Sequence, residues 1–96
     1  MGIKELKYND KSITTKSEIL KKLKDFGFNW LIDSEVEDAV IEIKKDTLIW
    51  HEGIYKFGNW RYGIFKNGGF YGTWENGIWE KGVFKGTWKS GLNKPI

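Results

Sequence analysis

Hydrophobic and polar positions follow two different rhythms along this chain. In Ile3 to Tyr8, Ile3, Glu5 and Lys7 alternate with Lys4, Leu6 and Tyr8, a period of two that predicts a short strand with one half-buried face. Asn9-Asp10-Lys11 reads as a turn, and Ser12 to Thr15 as a second strand forming a hairpin with the first. Ile19, Leu20, Leu23 and Phe26 then recur at helical spacing. Thr15 and Glu18 have the spacing of a capping box, and Gly27 suits the residue just past a helix end. The pattern predicts one helix over about 16–26. Phe28, Trp30 and Ile32 alternate with Asn29, Leu31 and Asp33, which predicts a strand. Residues 33–38 are an acidic connection, Ala39 to Ile43 a strand, 44–46 a turn and Thr47 to Trp50 another strand.

From Trp50 onward alternation gives way to a repeat. Residues 60–73 (WRYGIFKNGGFYGT) align with residues 74–87 (WENGIWEKGVFKGT), and Trp88-Lys-Ser-Gly-Leu92 begins a third copy. The unit is fourteen residues long, with an inner rhythm of an aromatic followed by glycine three residues later. That rhythm reaches back to Trp50 and Gly53, and to Tyr55 and Gly58. The Asn-Gly pairs at 67–68 and 76–77 are strong turn signals, because glycine accepts positive φ. A turn about every five residues leaves straight pieces too short for good hairpin ladders. A coil that turns a corner every five residues and pairs with the coil above loses nothing by having short sides. The expected fold is α+β: a small sheet with one helix at the N-terminus, continuing into a 14-residue-repeat β-solenoid, or a β-meander with its rings on one face. Residues 1–49 form the cap, 50–92 the aromatic-glycine β-repeat and 93–96 a tail whose Pro95 stops the pattern. Trp60, Trp74 and Trp88, Phe65 with Trp79, and Phe70 with Phe84 are expected to form ladders spaced roughly 4.8 Å apart.

The segments Gly-Thr-Trp-Glu-Asn-Gly and Gly-Thr-Trp-Lys-Ser-Gly resemble the G-x-W-x-x-G core of MORN repeats. The chain also looks like the short aromatic-glycine repeat proteins of phage and bacteria. The likeness covers about residues 50–92, and it implies a non-catalytic module used for protein association or, in some cases, lipid contact. A MORN unit is longer than fourteen residues and forms a full hairpin.

Composition narrows the picture further. Ninety-six residues with no cysteine make one domain, or one domain and an extension, without a disulfide framework or a thiolate metal site. No stretch approaches the roughly 18 apolar residues of a membrane helix, and residues 1–7 lack a signal-peptide core. A cytoplasmic protein is the default expectation, in a host cell if the chain is phage-encoded. The net charge of +3 is uneven. Residues 1–49 hold nine lysines against ten acids, −1, and residues 50–96 hold seven cations against three acids, +4. An aromatic, basic half suggests nucleic acid or an acidic partner.

Candidate chemistry is sparse. His51, the single histidine, stands beside Glu52, and a lone histidine with a carboxylate can act as a general base. The plainer reading, a polar residue next to a turn, is favoured. Glu75 and Glu80 are matched in the other copies by Arg61, Lys66 and Lys89, the pattern of solvated corners. Lys21, Lys22 and Lys24 read as a solvated helix face. No cofactor or metal is expected, and an enzyme is the least favoured class. The ladder rings read as core. The rings outside the fourteen-residue period, Tyr55, Phe57, Tyr62 and Tyr71, together with Lys56, Arg61, Lys66 and Lys85, are the candidate contact surface. Tyr, Trp and Arg on a stiff β surface match protein hot spots. The favoured function is therefore non-enzymatic binding of a protein partner, in a phage or mobile-element setting as an inhibitor or accessory of a larger complex. The alternatives are single-stranded nucleic-acid binding, by rings and cations together, and carbohydrate binding. A homodimer through the repeat end at Trp88 to Leu92 is a further expectation.

Overall fold

The computed structural model describes residues 2–93. Strand β1 (Ile3–Tyr8) pairs antiparallel with β2 (Lys11–Ile13) across a two-residue turn. Both turn residues, Asn9 and Asp10, have positive φ, the mirror-image turn whose twist suits a hairpin. Helix α1 (Lys16–Asp25) follows, with Thr15 at its N-cap. The Thr15 carbonyl accepts the first helical bond from the Ile19 N–H at 3.0 Å, but its side chain makes no cap bond. The expected capping box is therefore not formed, and the backbone alone starts the helix. Ile19 and Leu23 bury the inner stripe, while Lys22 lies 4.5 Å from the Tyr8 ring centroid. Gly27, at φ +79°, ends the helix as expected.

The next segment corrects the sequence reading. Residues 28–32 do not form a strand but a second, one-turn helix, α2 (Asn29–Ile32). Leu31 N–H bonds to the Phe28 carbonyl and Asp33 N–H to the Asn29 carbonyl, both at 3.0 Å. Phe28 and Leu31, three residues apart, are both fully buried. Five apolar-rich residues can satisfy either period, and here the local backbone bonds and burial choose the helical one. The acidic connection is also corrected: Glu35, Glu37 and Asp38 belong to β3 (Glu35–Lys44), which runs parallel to β1 and antiparallel to β4 (Thr47–Phe57). Their side chains point to solvent while Val36 and Ala39 are buried.

Strand β4 carries the chain across residue 50 without a break. Against β3 it is one long strand, but Ile49–Trp50 pairs with β6 (Ile64–Phe65) and Ile54–Tyr55 with β7 (Gly69–Phe70). From there every pairing is parallel. β5 (Asn59–Trp60), β8 (Thr73–Trp74) and β11 (Thr87–Trp88) form one sheet. β6 pairs β9 (Ile78–Trp79), which pairs β12 (Leu92–Asn93), and β7 pairs β10 (Val83–Phe84). These pairs join residues fourteen apart, so the chain returns above itself once per repeat. Pro95, expected to stop the pattern, and the rest of residues 94–96 lie outside the described residues.

Three columns of rings fill the inside. Trp60 stacks on Trp74 at 5.2 Å and Trp74 on Trp88 at 5.1 Å. Phe65 stacks on Trp79 at 4.5 Å, and Phe70 on Phe84 at 5.3 Å. Rings in different columns meet edge to face, as Trp60 meets Phe65 at 77°. Two features of the corners explain their glycines. Gly77 has φ +127°, and a Cβ there would stand 2.5 Å from the Gly63 carbonyl oxygen of the preceding coil. At Gly72 a Cβ would lie 2.6 Å from the Gly58 carbonyl, so close stacking alone demands glycine.

The first coil is one residue longer than the others. Trp50 pairs with Phe65 and Tyr55 with Phe70, fifteen residues on, whereas Phe65 pairs with Trp79 and Phe70 with Phe84, fourteen on. The extra residue lies between Tyr55 and Trp60, a step of five where Phe70 to Trp74 is a step of four. The fold is α+β, with the helices and β1–β4 stacked on one end of the ring columns. Trp30 of α2 meets Trp60 edge-on at 5.2 Å and closes the first column.

Candidate functional site

The coils place the candidate residues at three corners. Lys56, Phe57, Tyr71 and Lys85 gather at the corner after Tyr55, Phe70 and Phe84. Arg61 and Tyr62 stand at the corner after Trp60, and Lys66 at the corner after Phe65. The structure therefore brings four of the eight together and separates the rest.

Tyr55 corrects the expected surface. Its ring is fully buried and stacks on Phe70 at 4.7 Å. Counting back fourteen residues from Phe70 lands on Lys56 and leaves Tyr55 outside the ladder. The fifteen-residue first coil puts Tyr55 in it. Its hydroxyl reaches the buried Ser34, whose Oγ donates to the Trp30 carbonyl at 2.7 Å. Burial pushes the Tyr55 hydroxyl up to about 12, the Ser34 hydrogen bond acting against it.

Phe57, the ring carried by the longer step, is 71% exposed, and Tyr71 is 49% exposed. With Asn59, Thr73 and Thr87 they line a shallow groove of about 300 Å³. A second hollow of about 200 Å³ shares Gly58 and Asn59 with it and is bounded by Trp30, Asp33 and Arg61. Together they make one furrow beside β5 and α2, aromatic at one end and charged at the other. Sequence reasoning missed Asn59, Thr73 and Thr87. The signal was present, since each immediately precedes a tryptophan of the same column and so points outward. Trp30 was missed because α2 was read as a strand.

The cations do not form a track. Lys56 is tied to Glu37 at 2.9 Å, which raises its amine above the usual value. Arg61, Glu75 and Lys89 occupy equivalent positions in successive coils, so the sign alternates along that corner. Tyr62 packs on Phe28 at 5.7 Å and on Trp30 at 5.8 Å, away from Tyr71. His51 Nε2 pairs with Glu42 Oε1 at 2.8 Å on the sheet face. It has an orienting carboxylate, but the 210 Å³ hollow that Glu42 borders is lined by Glu5, Lys7 and Ser12 rather than by His51. Among the described residues no three His, Asp or Glu side chains converge where a metal could sit. No helix in them is long and apolar enough to cross a membrane.

No protein family matches this chain, and no curated protein or solved structure matches it.

Proposed function

We propose that the chain is a non-enzymatic binding module, a β-solenoid of about three coils that presents one furrow to a protein partner. The parallel pairing at a repeat of fourteen residues supports the solenoid reading over the meander. The observation that carries the function is the pair Phe57 and Tyr71, two exposed rings lining one groove on a backbone that backbone bonds tie to the neighbouring coils. A ring held on a stiff surface loses little conformational entropy on binding, which favours it as an anchor. The furrow's mixed ends suit a peptide surface with an apolar and a polar side chain. The resemblance to MORN repeats points to the same class, and an accessory or inhibitor of a larger complex fits so small a module.

The Asn59, Thr73 and Thr87 column beneath two rings also favours a carbohydrate, since sugars offer a flat apolar face and a rim of hydroxyls. Nucleic acid is the weaker reading, because the cations lie on three corners and Lys56 is already paired.

A photo-crosslinking phenylalanine at position 57 tests the proposal in cell extract. A discrete crosslinked protein is expected, lost when Tyr71→Ala is added while circular dichroism is unchanged. Binding to fluorescent single-stranded DNA or RNA that falls steeply with salt, with no protein crosslink, would overturn it. Salt-insensitive glycan binding abolished by Tyr71→Ala would overturn it in favour of the sugar.

A further inference from the structure

The outer face of the large sheet is a second surface, distinct from the furrow. Both helices pack on the ring side, where Ile19, Leu23, Phe28 and Leu31 share one core with Leu6, Ile41 and Trp50. The outer face carries a row of Ile49, Ile64, Ile78 and Leu92, directly paired along the ladder through β4, β6, β9 and β12. Ile64 and Ile78 are half-buried and Leu92 is 61% exposed. Thr47, Tyr62, Ile64 and Ile78 line a shallow, mostly apolar hollow of about 370 Å³.

Side chains two apart in an extended segment share a face. Lys66 thus stands beside Ile64, and Glu80 beside Ile78. The ladder continues through both, because Lys66 N–H bonds to the Trp50 carbonyl and Glu80 N–H to the Phe65 carbonyl. His51 occupies the same row on β4, where Glu42 already pairs with it. The face is therefore a row of apolar residues beside a row in which, among the described residues, Lys66 and Glu80 carry opposite charges.

We propose that this face is the interface of a symmetric dimer formed by a second copy of the chain. The two-fold axis runs along the strands, midway between β6 and β9. That axis reverses the order of the ladder and keeps each row over itself. Lys66 then meets Glu80 of the second copy, and Glu80 meets its Lys66. Ile64 lies over Ile78, and Leu92 over Ile49 of the second copy, beside the hollow. Each contact occurs twice, as a two-fold interface requires. An axis along the ladder instead would set the charged row over the isoleucine row, desolvating Lys66 and Glu80 against apolar side chains. Two short rows across four strands make a small contact beside the roughly 800 Å² per partner that stable complexes bury, so the dimer is weak and concentration-dependent.

Sedimentation of the full chain from about 10 µM to about 1 mM tests this, a range chosen for a weak interface. The wild type is expected to pass from monomer to dimer mass. Lys66→Glu sets like charges together twice and is expected to weaken association at least about tenfold. The double exchange Lys66→Glu with Glu80→Lys restores opposite charges and is expected to restore the dimer. Leu92→Asp is expected to stay monomeric, with a folded circular dichroism spectrum. A wild type that is monomeric throughout overturns the proposal, as does a charge exchange that fails to recover the dimer. A dimer abolished by Leu92→Asp but untouched by Lys66→Glu would move the contact to the edge of β12, and would also overturn it.

Discussion

Tyr55 carries a hydroxyl into a core made otherwise of aliphatic side chains and aromatic rings. It donates to Ser34 Oγ, and Ser34 in turn donates to the Trp30 carbonyl, so one short chain of bonds ties the first coil to α2. Leaving either group unpaired would cost more than the bond itself contributes. Folding raises the Tyr55 pKa from 10.0 to about 12, because the phenolate cannot be solvated there. A raised value means the contribution is fully present below pH 10 and is lost between pH 10 and about 12. The full shift corresponds to about 3 kcal/mol, taken as an order of magnitude. Urea midpoints measured across that window are expected to fall in the wild type by more than in Tyr55→Phe, whose curve lacks this one group. Equal slopes would show that Tyr55 does not hold its proton by burial. The four indole N–H groups of Trp30, Trp50, Trp60 and Trp74 behave differently, being buried without an acceptor among the described residues. Those of Trp50, Trp60 and Trp74 lie 3.0–3.2 Å from where a Cβ of Gly68, Gly77 and Gly91 would be, so glycine leaves room for the indole edge as well as for the stacked backbone.

At the level of elements, α2 acts as a lid on the ring columns. Trp30 touches Phe28, Trp60 and Tyr62, and so covers the end of the column that Trp60 begins. Trp30→Ala opens that contact and is expected to cost about 3 kcal/mol in urea denaturation. Trp30→Phe keeps a ring and discards an N–H that has no acceptor here, and is expected to cost about 1 kcal/mol or less. Similar losses for both would mean the ring packing is not what α2 contributes. The regular elements were legible where one period governs them, as in β1, α1 and the ring columns. α2 was not, because four residues are too few to separate a period of 3.6 from one of 2. The first coil was not either, since a single added residue near Phe57 shifts the register without disturbing the motif.

Across the whole molecule, β4 belongs both to the flat sheet and to the first coil, and the core runs continuously from Leu6 and Leu23 to Trp79. The two halves share one strand and one core, so they are expected to unfold together. Far-ultraviolet circular dichroism and tryptophan fluorescence should give coincident denaturant transitions. Two separated transitions would mean that the coils melt apart from the sheet they rest on. The furrow was half legible for the same reason that the coils were. Phe57, Tyr71 and Arg61 could be named from the repeat, but that the two rings line one end and Arg61 the other depends on where the coil turns.

The sequence by itself determined the repeat, the ring columns and the glycine corners. In a stacked array each residue's main neighbour is its own copy fourteen positions along, so the contact is written in the period. Tertiary structure alone decided the fifteen-residue first coil, the burial of Tyr55, the lid at Trp30 and the sharing of faces. Those depend on contacts between segments of unrelated sequence, where backbone bonds and burial together choose a register that no single stretch specifies.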